Sequence, residues 1–159
     1  RTPLELAGVP IVSDWREAEV VIAGLDPKLS YESLTQAVMA VNHGARFIAT
    51  NTDVTYPTPE GLWPGAGSLV AAIEAATGVT AEVAGKPNAA MRSLLHDRLE
   101  GQQVAVIGDR PETDLALGTA EGWLTILVLS GVTASPEQVD PRPDHVLASI
   151  AEAPSLLGL

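Results

Sequence analysis

The run Val104-Ala105-Val106-Ile107-Gly108-Asp109-Arg110-Pro111-Glu112-Thr113-Asp114 is an apolar strand that ends on an aspartate, with a second aspartate one turn further on. A buried strand running into Gly-Asp delivers a carboxylate at the strand's carboxyl end, where open α/β sheets bind their ligands. Two carboxylates at that spacing suit a metal site. Upstream, Ala84-Gly85-Lys86-Pro87 offers a cation able to pair with a phosphate. Each feature also has a plainer reading. A Gly-Asp after a strand builds turns whose Asp caps the next helix. Asp114 is also placed as a first-turn carboxylate favoured by the helix dipole, and a lysine before a proline is commonly a solvated loop residue.

The elements that must position these residues follow from periodicity. Apolar runs alternate with amphipathic stretches, the pattern of α/β architecture. Residues 20–25 read as a buried strand stopped by Asp26-Pro27. Residues 30–42 carry apolar side chains at Leu34, Ala37, Val38 and Val41, a helical period, and His43-Gly44 ends it. Residues 46–50 form the next strand. Residues 51–64, rich in Thr, Pro and Gly, read as a loop, and a helix runs on to Ala76 before Gly78. In Gly65-Ala66-Gly67-Ser68 the Lys-Ser/Thr ending of a P-loop is missing, so Ser68 is expected to cap that helix while the glycines admit close packing. A second unit begins near Glu82, with helices over 88–99 and 112–121, strands over 103–107 and 124–129, a short strand at 145–147 and a last helix from Ser149.

Composition narrows the function classes. A chain of 159 residues, 46% hydrophobic and 18% charged, has a globular balance. Twenty acidic against nine basic residues give a net charge of −11, which repels polyanions, so nucleic acid is not an expected partner. No cysteine is present, which excludes disulfides and thiolate metal sites. The three histidines are scattered and read as surface residues, and Trp15, Trp63 and Trp123 as packing residues, with Trp63, in the long loop, also placed to touch a ligand. No apolar run is long enough to span a bilayer. With no membrane partner and no signal-peptide layout, a cytoplasmic location is the default expectation.

Taken in order, Gly24-Leu25-Asp26, Ala49-Thr50-Asn51-Thr52-Asp53, Pro64 to Leu69, Gly85-Lys86-Pro87, Gly108-Asp109-Arg110, Thr113-Asp114 and Leu129-Ser130-Gly131-Val132-Thr133 resemble the haloacid-dehalogenase (HAD) superfamily of phosphatases. The branch is the one holding para-nitrophenyl phosphatase, phosphoglycolate phosphatase and pyridoxal phosphate phosphatase. The resemblance implies an α/β substrate-specificity cap over residues 1–82 and, over 83–159, the C-terminal part of a Rossmann-like core with a parallel sheet. It implies a Mg2+-dependent phosphomonoesterase acting on a small phosphorylated metabolite, with Lys86 steadying nucleophile and phosphate, Asp109 as a direct Mg2+ ligand, and Asp114 holding metal-bound water or orienting its neighbours. Leu25, Tyr56 and Pro57 match the cap positions that touch the leaving group.

The family's nucleophile, the first Asp of an Asp-x-Asp after an apolar strand, occurs nowhere in these 159 residues. On the resemblance, the chain starts inside the cap, residues 3–7 are the remains of its first helix, and the polypeptide alone is inactive. The strand at 103–107 would then keep an open edge, to be covered by self-association or by a complementing N-terminal segment. Two rivals stand beside this reading. One is a catalytically silent binding or regulatory module that keeps the metal and phosphate residues; the other is a receiver-like or nucleotide-binding α/β domain, which leaves Gly85-Lys86-Pro87 unexplained.

Overall fold

Val20, Val21 and Ile22 are β-branched and apolar, a composition that favours a pleated, half-buried strand. In the computed structural model, which describes residues 3–159, they form β1 (Val20–Ala23). Arg1 and Thr2, the start of the expected cap, lie outside the described residues. The short helix α1 (Pro3–Leu6) occupies the expected position. The Ser30 side chain accepts from the Ser33 amide at 3.0 Å and so caps α2 (Tyr31–Asn42). The chain returns through β2 (Arg46–Ala49), parallel to β1.

Residues 51–64, expected as a loop, contain an antiparallel hairpin, β3 (Thr55–Thr58) and β4 (Gly61–Pro64), with Tyr56 opposite Trp63. Pro57 and Pro64 read as strand breakers, but proline is tolerated where a strand edge faces away from a ladder. Both strands of a two-stranded ribbon have such an edge. Gly61 closes the turn at φ +124°, a region that glycine enters without steric cost.

Gly65, not Ser68, occupies the cap position of α3 (Ala66–Thr77), because the helix starts earlier than expected. Ser68 instead donates its hydroxyl to the Val54 carbonyl at 2.7 Å. A Cβ on Gly65 or Gly67 would overlap the carbonyl oxygens of Asp53 and Thr52, so the glycines do admit the close packing expected of them. β5 (Glu82–Val83) completes a parallel sheet of order β1-β2-β5. Val41, Phe47, Ala49, Val70 and Ile73 form its core.

The chain divides into two compact units, Arg1–Ala84 and Gly85–Leu159. The second opens with α4 (Ala89–Leu99) and β6 (Ala105–Gly108). The helix expected over 112–121 begins as a π-helical turn, Pro111–Leu115, and becomes regular in α5 (Ala116–Glu121), ending at Gly122 with φ +68°. π turns admit an extra residue per turn and recur at functional sites. Here the turn is what carries Asp114 back beneath the end of β6. β7 (Leu124–Val128) and β8 (His145–Leu147) complete a second parallel sheet of order β6-β7-β8, followed by α6 (Ala153–Leu157). Ile126 and Leu127 of β7 are wholly buried, whereas β6 is half-buried and, among the described residues, pairs only with β7.

One polar contact ties the approach of β8 to β7. The Asp144 carboxylate accepts from the Thr125 amide at 2.8 Å and from its hydroxyl at 2.9 Å. The backbone bond and then the hydroxyl bond hold the Asp144 carboxyl below its ordinary range. A carboxyl with a lowered folded-state pKa adds stability that is present above the unfolded value, about 3.9, and is lost as pH falls through the folded value. Thermal melts are therefore expected to be flat in this contribution from pH 7 to about pH 5 and to fall below about pH 4. Asp144→Asn should flatten that acid limb, and an unchanged limb would show that the contact contributes nothing.

Candidate active site

At the carboxyl end of β6 the second unit gathers a lysine and two aspartates. Gly108 is the last residue of the strand, and a Cβ there would overlap the Asp114 carboxyl group. The missing side chain is what lets that carboxylate lie against the strand end. Asp114 is buried at 6% exposure, and its Oδ2 accepts from the Arg110 amide at 3.2 Å. Its Oδ1 meets Lys86 Nζ at 2.5 Å. Lys86 remains half exposed, so the pair is a buried carboxylate satisfied by a cation that still reaches solvent. The geometry brings together the two residues expected to share the phosphate chemistry.

Asp109 sits just beyond β6, half-buried. Its Oδ2 accepts from the Val132 amide at 2.6 Å, and a Cβ on Gly131 would overlap its carboxylate. The Gly131-Val132 backbone therefore fixes the side chain. Oδ1 of Asp109 has no protein donor among the described residues. A half-buried carboxylate oxygen left open at a strand end is a hard donor of the kind Mg2+ prefers, and that ion commonly keeps several waters while taking one or two carboxylates. The site thus fits one ligand position for Mg2+. Among the described residues no group of three or more His, Cys, Asp or Glu comes together as a metal cage.

The remaining expected residues lie in the first unit. Leu25 follows β1 and is 48% exposed. Tyr56 and Pro57 lie on β3, and Tyr56 meets Trp63 edge to face with ring centroids 6.4 Å apart. Trp63, expected as a packing residue, is 43% exposed. The three histidines are exposed, as expected; His43 packs on Trp15 with ring centroids 4.2 Å apart. Gly131 and Val132 were visible only as part of a motif, and their hold on Asp109 had no local signal.

A lysine and two carboxylates at the carboxyl end of a parallel strand stand where α/β sheets bind their ligands, and a cation together with a metal can offset the charge of a phosphate. Residues 83–153 match the family model described as HAD-hydrolase-like. The chain is 42% identical over 138 residues to a dihydroxyacetone phosphatase of Corynebacterium glutamicum, covering 84% of this chain and 50% of that protein. Among solved structures it resembles a p-nitrophenyl phosphatase from Archaeoglobus fulgidus, with 37% identity and a TM-score of 0.84 over 96% of this chain and 62% of that one. A glycerol phosphate phosphatase from Mycobacterium tuberculosis, solved with magnesium, gives 34% identity and a TM-score of 0.82, covering 91% of this chain and 45% of that one. The chain belongs to the haloacid-dehalogenase superfamily, in the subfamily of the p-nitrophenyl phosphatases. It spans about half the length of the curated relatives it matches. No helix among the described residues is long and apolar enough to cross a membrane.

Proposed function

We propose that this chain serves a Mg2+-dependent phosphomonoesterase of the haloacid-dehalogenase type acting on a small phosphorylated metabolite. Residues 1–82 form its specificity cap, and 83–159 contribute to its catalytic core. The observation that carries this reading is the Lys86–Asp114 pair at 2.5 Å beside Asp109 at the end of β6. Two relatives named above, a dihydroxyacetone phosphatase and a glycerol phosphate phosphatase, support a small phosphate ester as the kind of substrate.

Asp109 would hold the metal, with its Oδ2 pinned by the Val132 amide and Oδ1 left for the ion. Mg2+, when bound, offsets the repulsion between carboxylates and a phosphate dianion. Lys86 supplies the second positive charge, and Asp114 fixes its ammonium so that it costs little reorganisation when charge develops on the phosphoryl oxygens. These 159 residues contain no Asp-x-Asp, so the covalent step needs a nucleophile that they do not supply. The assay that tests the reading uses Mg2+ and p-nitrophenyl phosphate on this polypeptide and on a form that carries an Asp-x-Asp strand. Turnover is expected only in the second. Metal-dependent turnover by the first, abolished in Asp109→Asn, would overturn the role given to the nucleophile. Mg2+-dependent phosphate binding without turnover in either form would favour a silent binding module.

Leu25, Tyr56 and Pro57 are the proposed specificity residues. Contacts to the leaving group discriminate between esters, whereas the transferring phosphoryl group is common to all of them. In an active form, Tyr56→Ala or Leu25→Ala should change the ratio of kcat/KM between two phosphate esters by about tenfold, the scale of a lost apolar pocket contact. Equal losses toward every ester would make these residues structural.

A further inference from the structure

Two ion pairs bridge the same two segments of the second unit. The first is Lys86–Asp114. The second lies further along both segments, where Arg92 Nε and His96 Nε2 each engage one oxygen of the Glu121 carboxylate. Arg92 and His96 are four apart on α4 and so share one face of the helix. The Glu121 side chain is 3% exposed, while those of Arg92 and His96 are 41% and 63% exposed. Hydrogen bonding from Arg92 foremost holds the Glu121 carboxyl below its ordinary range.

This second bridge matters because of what α4 lacks. The helix begins at Ala89, just after Lys86, yet buries none of its residues. Its apolar face, Met91, Leu95 and Leu99, is only half-buried, so apolar packing holds it less firmly than a fully buried face would. α5 is anchored differently: Leu117 and Gly118 are buried, and it continues directly from the π turn that carries Asp114. Glu121, the last residue of α5, thus ties a half-buried helix to one with a buried face, and His96 adds a ring contact to Trp123 at 6.1 Å. A buried carboxylate with both oxygens engaged strongly resists loss of a partner, because the charge would be left uncompensated.

We infer that the Glu121–Arg92–His96 clamp is a positioning device for Lys86: by fixing α4 against α5 it holds the ammonium on Asp114. Glu121 touches no reacting group, so it acts through Lys86 alone. The consequence for phosphate rests on the proposed function, but the placement of Lys86 does not, and the test separates the two.

Lys28 and Lys86 are the only lysines in the sequence, so 15N- and 13C-labelled lysine gives two side-chain signals, assigned with Lys28→Arg. Lys28 lies in the first unit and serves as the reference. In the unaltered 159-residue chain the Lys86 ammonium should be shifted from Lys28 and slow to exchange with water. Glu121→Gln, and separately Arg92→Ala, should move it onto the Lys28 position with fast exchange while far-UV circular dichroism stays unchanged, and Arg92→Lys should restore part of the shift. Should Glu121→Gln unfold the chain, Arg92→Ala at the more exposed end decides the matter. A Lys86 signal that is unchanged in a folded Arg92→Ala variant would overturn the inference and leave the clamp as a helix pin. If the signal responds as expected while inorganic phosphate with Mg2+ perturbs neither lysine, the positioning stands and the phosphate reading fails.

Discussion

Asp109→Asn, in a form of the protein that hydrolyses p-nitrophenyl phosphate, is expected to lower kcat/KM by about two to three orders of magnitude, the scale seen when a preorganised charge-stabilising group is removed. The substitution is nearly isosteric. An asparagine oxygen can still accept from the Val132 amide, which Asp109 Oδ2 engages at 2.6 Å, so the melting temperature should hardly change. What is lost is the negative charge on the open oxygen, which in the proposed function is the metal ligand.

Lys86→Ala should differ in kind. It removes a comparable share of turnover but also leaves the Asp114 carboxylate, 6% exposed, without its cation. An unsatisfied buried acceptor costs about 1–3 kcal/mol, and the lower half of that range is expected because Lys86 is itself half exposed and screened by water. Parallel kinetics and thermal melts on the two variants separate loss of chemistry from loss of fold. Near-wild-type turnover in either variant would break the assignment of these residues to phosphate chemistry.

Gly108→Ala is expected to be disruptive for a change of one methyl group. The added Cβ would occupy the position of the Asp114 carboxyl, and neither group has an easy way out, since the carboxylate is held by Lys86 and the Arg110 amide while the glycine sits in a paired strand. Overpacking of this kind costs about 1–3 kcal/mol. Because the displaced group is half of the Lys86–Asp114 pair, activity should fall further than stability alone requires. Gly131→Ala makes the same test for Asp109, whose carboxylate would be overlapped. Denaturant unfolding combined with steady-state kinetics reads both effects. A Gly108→Ala protein within about 0.5 kcal/mol of the original, the usual range for an inconsequential surface change, would show that the close approach is not required.

Much of this was legible along the chain because the forces are local. Apolar β-branched runs mark β1 and β7, Ser30 caps α2 through its own side chain, and Gly78 and Gly122 end helices in the left-handed conformation. The residue types of the site, Lys86, Asp109 and Asp114, were likewise visible, since their motifs lie within a few residues of strand and helix boundaries. The hairpin at Thr55–Pro64 was not. Its prolines argue against a strand in general, and only the pairing geometry shows that they fall where no ladder bond is required.

The sequence by itself determined which groups are present and at which element ends they stand, because short-range propensity and periodicity act over a turn or two. Only the tertiary structure decided which groups meet. The open oxygen of Asp109 exists because the Val132 amide, from a distant loop, takes the other one. The Lys86–Asp114 contact exists because a π turn and a bare glycine let a carboxylate fold back under the strand. The Glu121 clamp joins the helix that precedes β6 in the chain to the one that follows it. Such contacts depend on sheet order and on how the chain returns through space, and no local pattern of residues encodes a return across tens of positions.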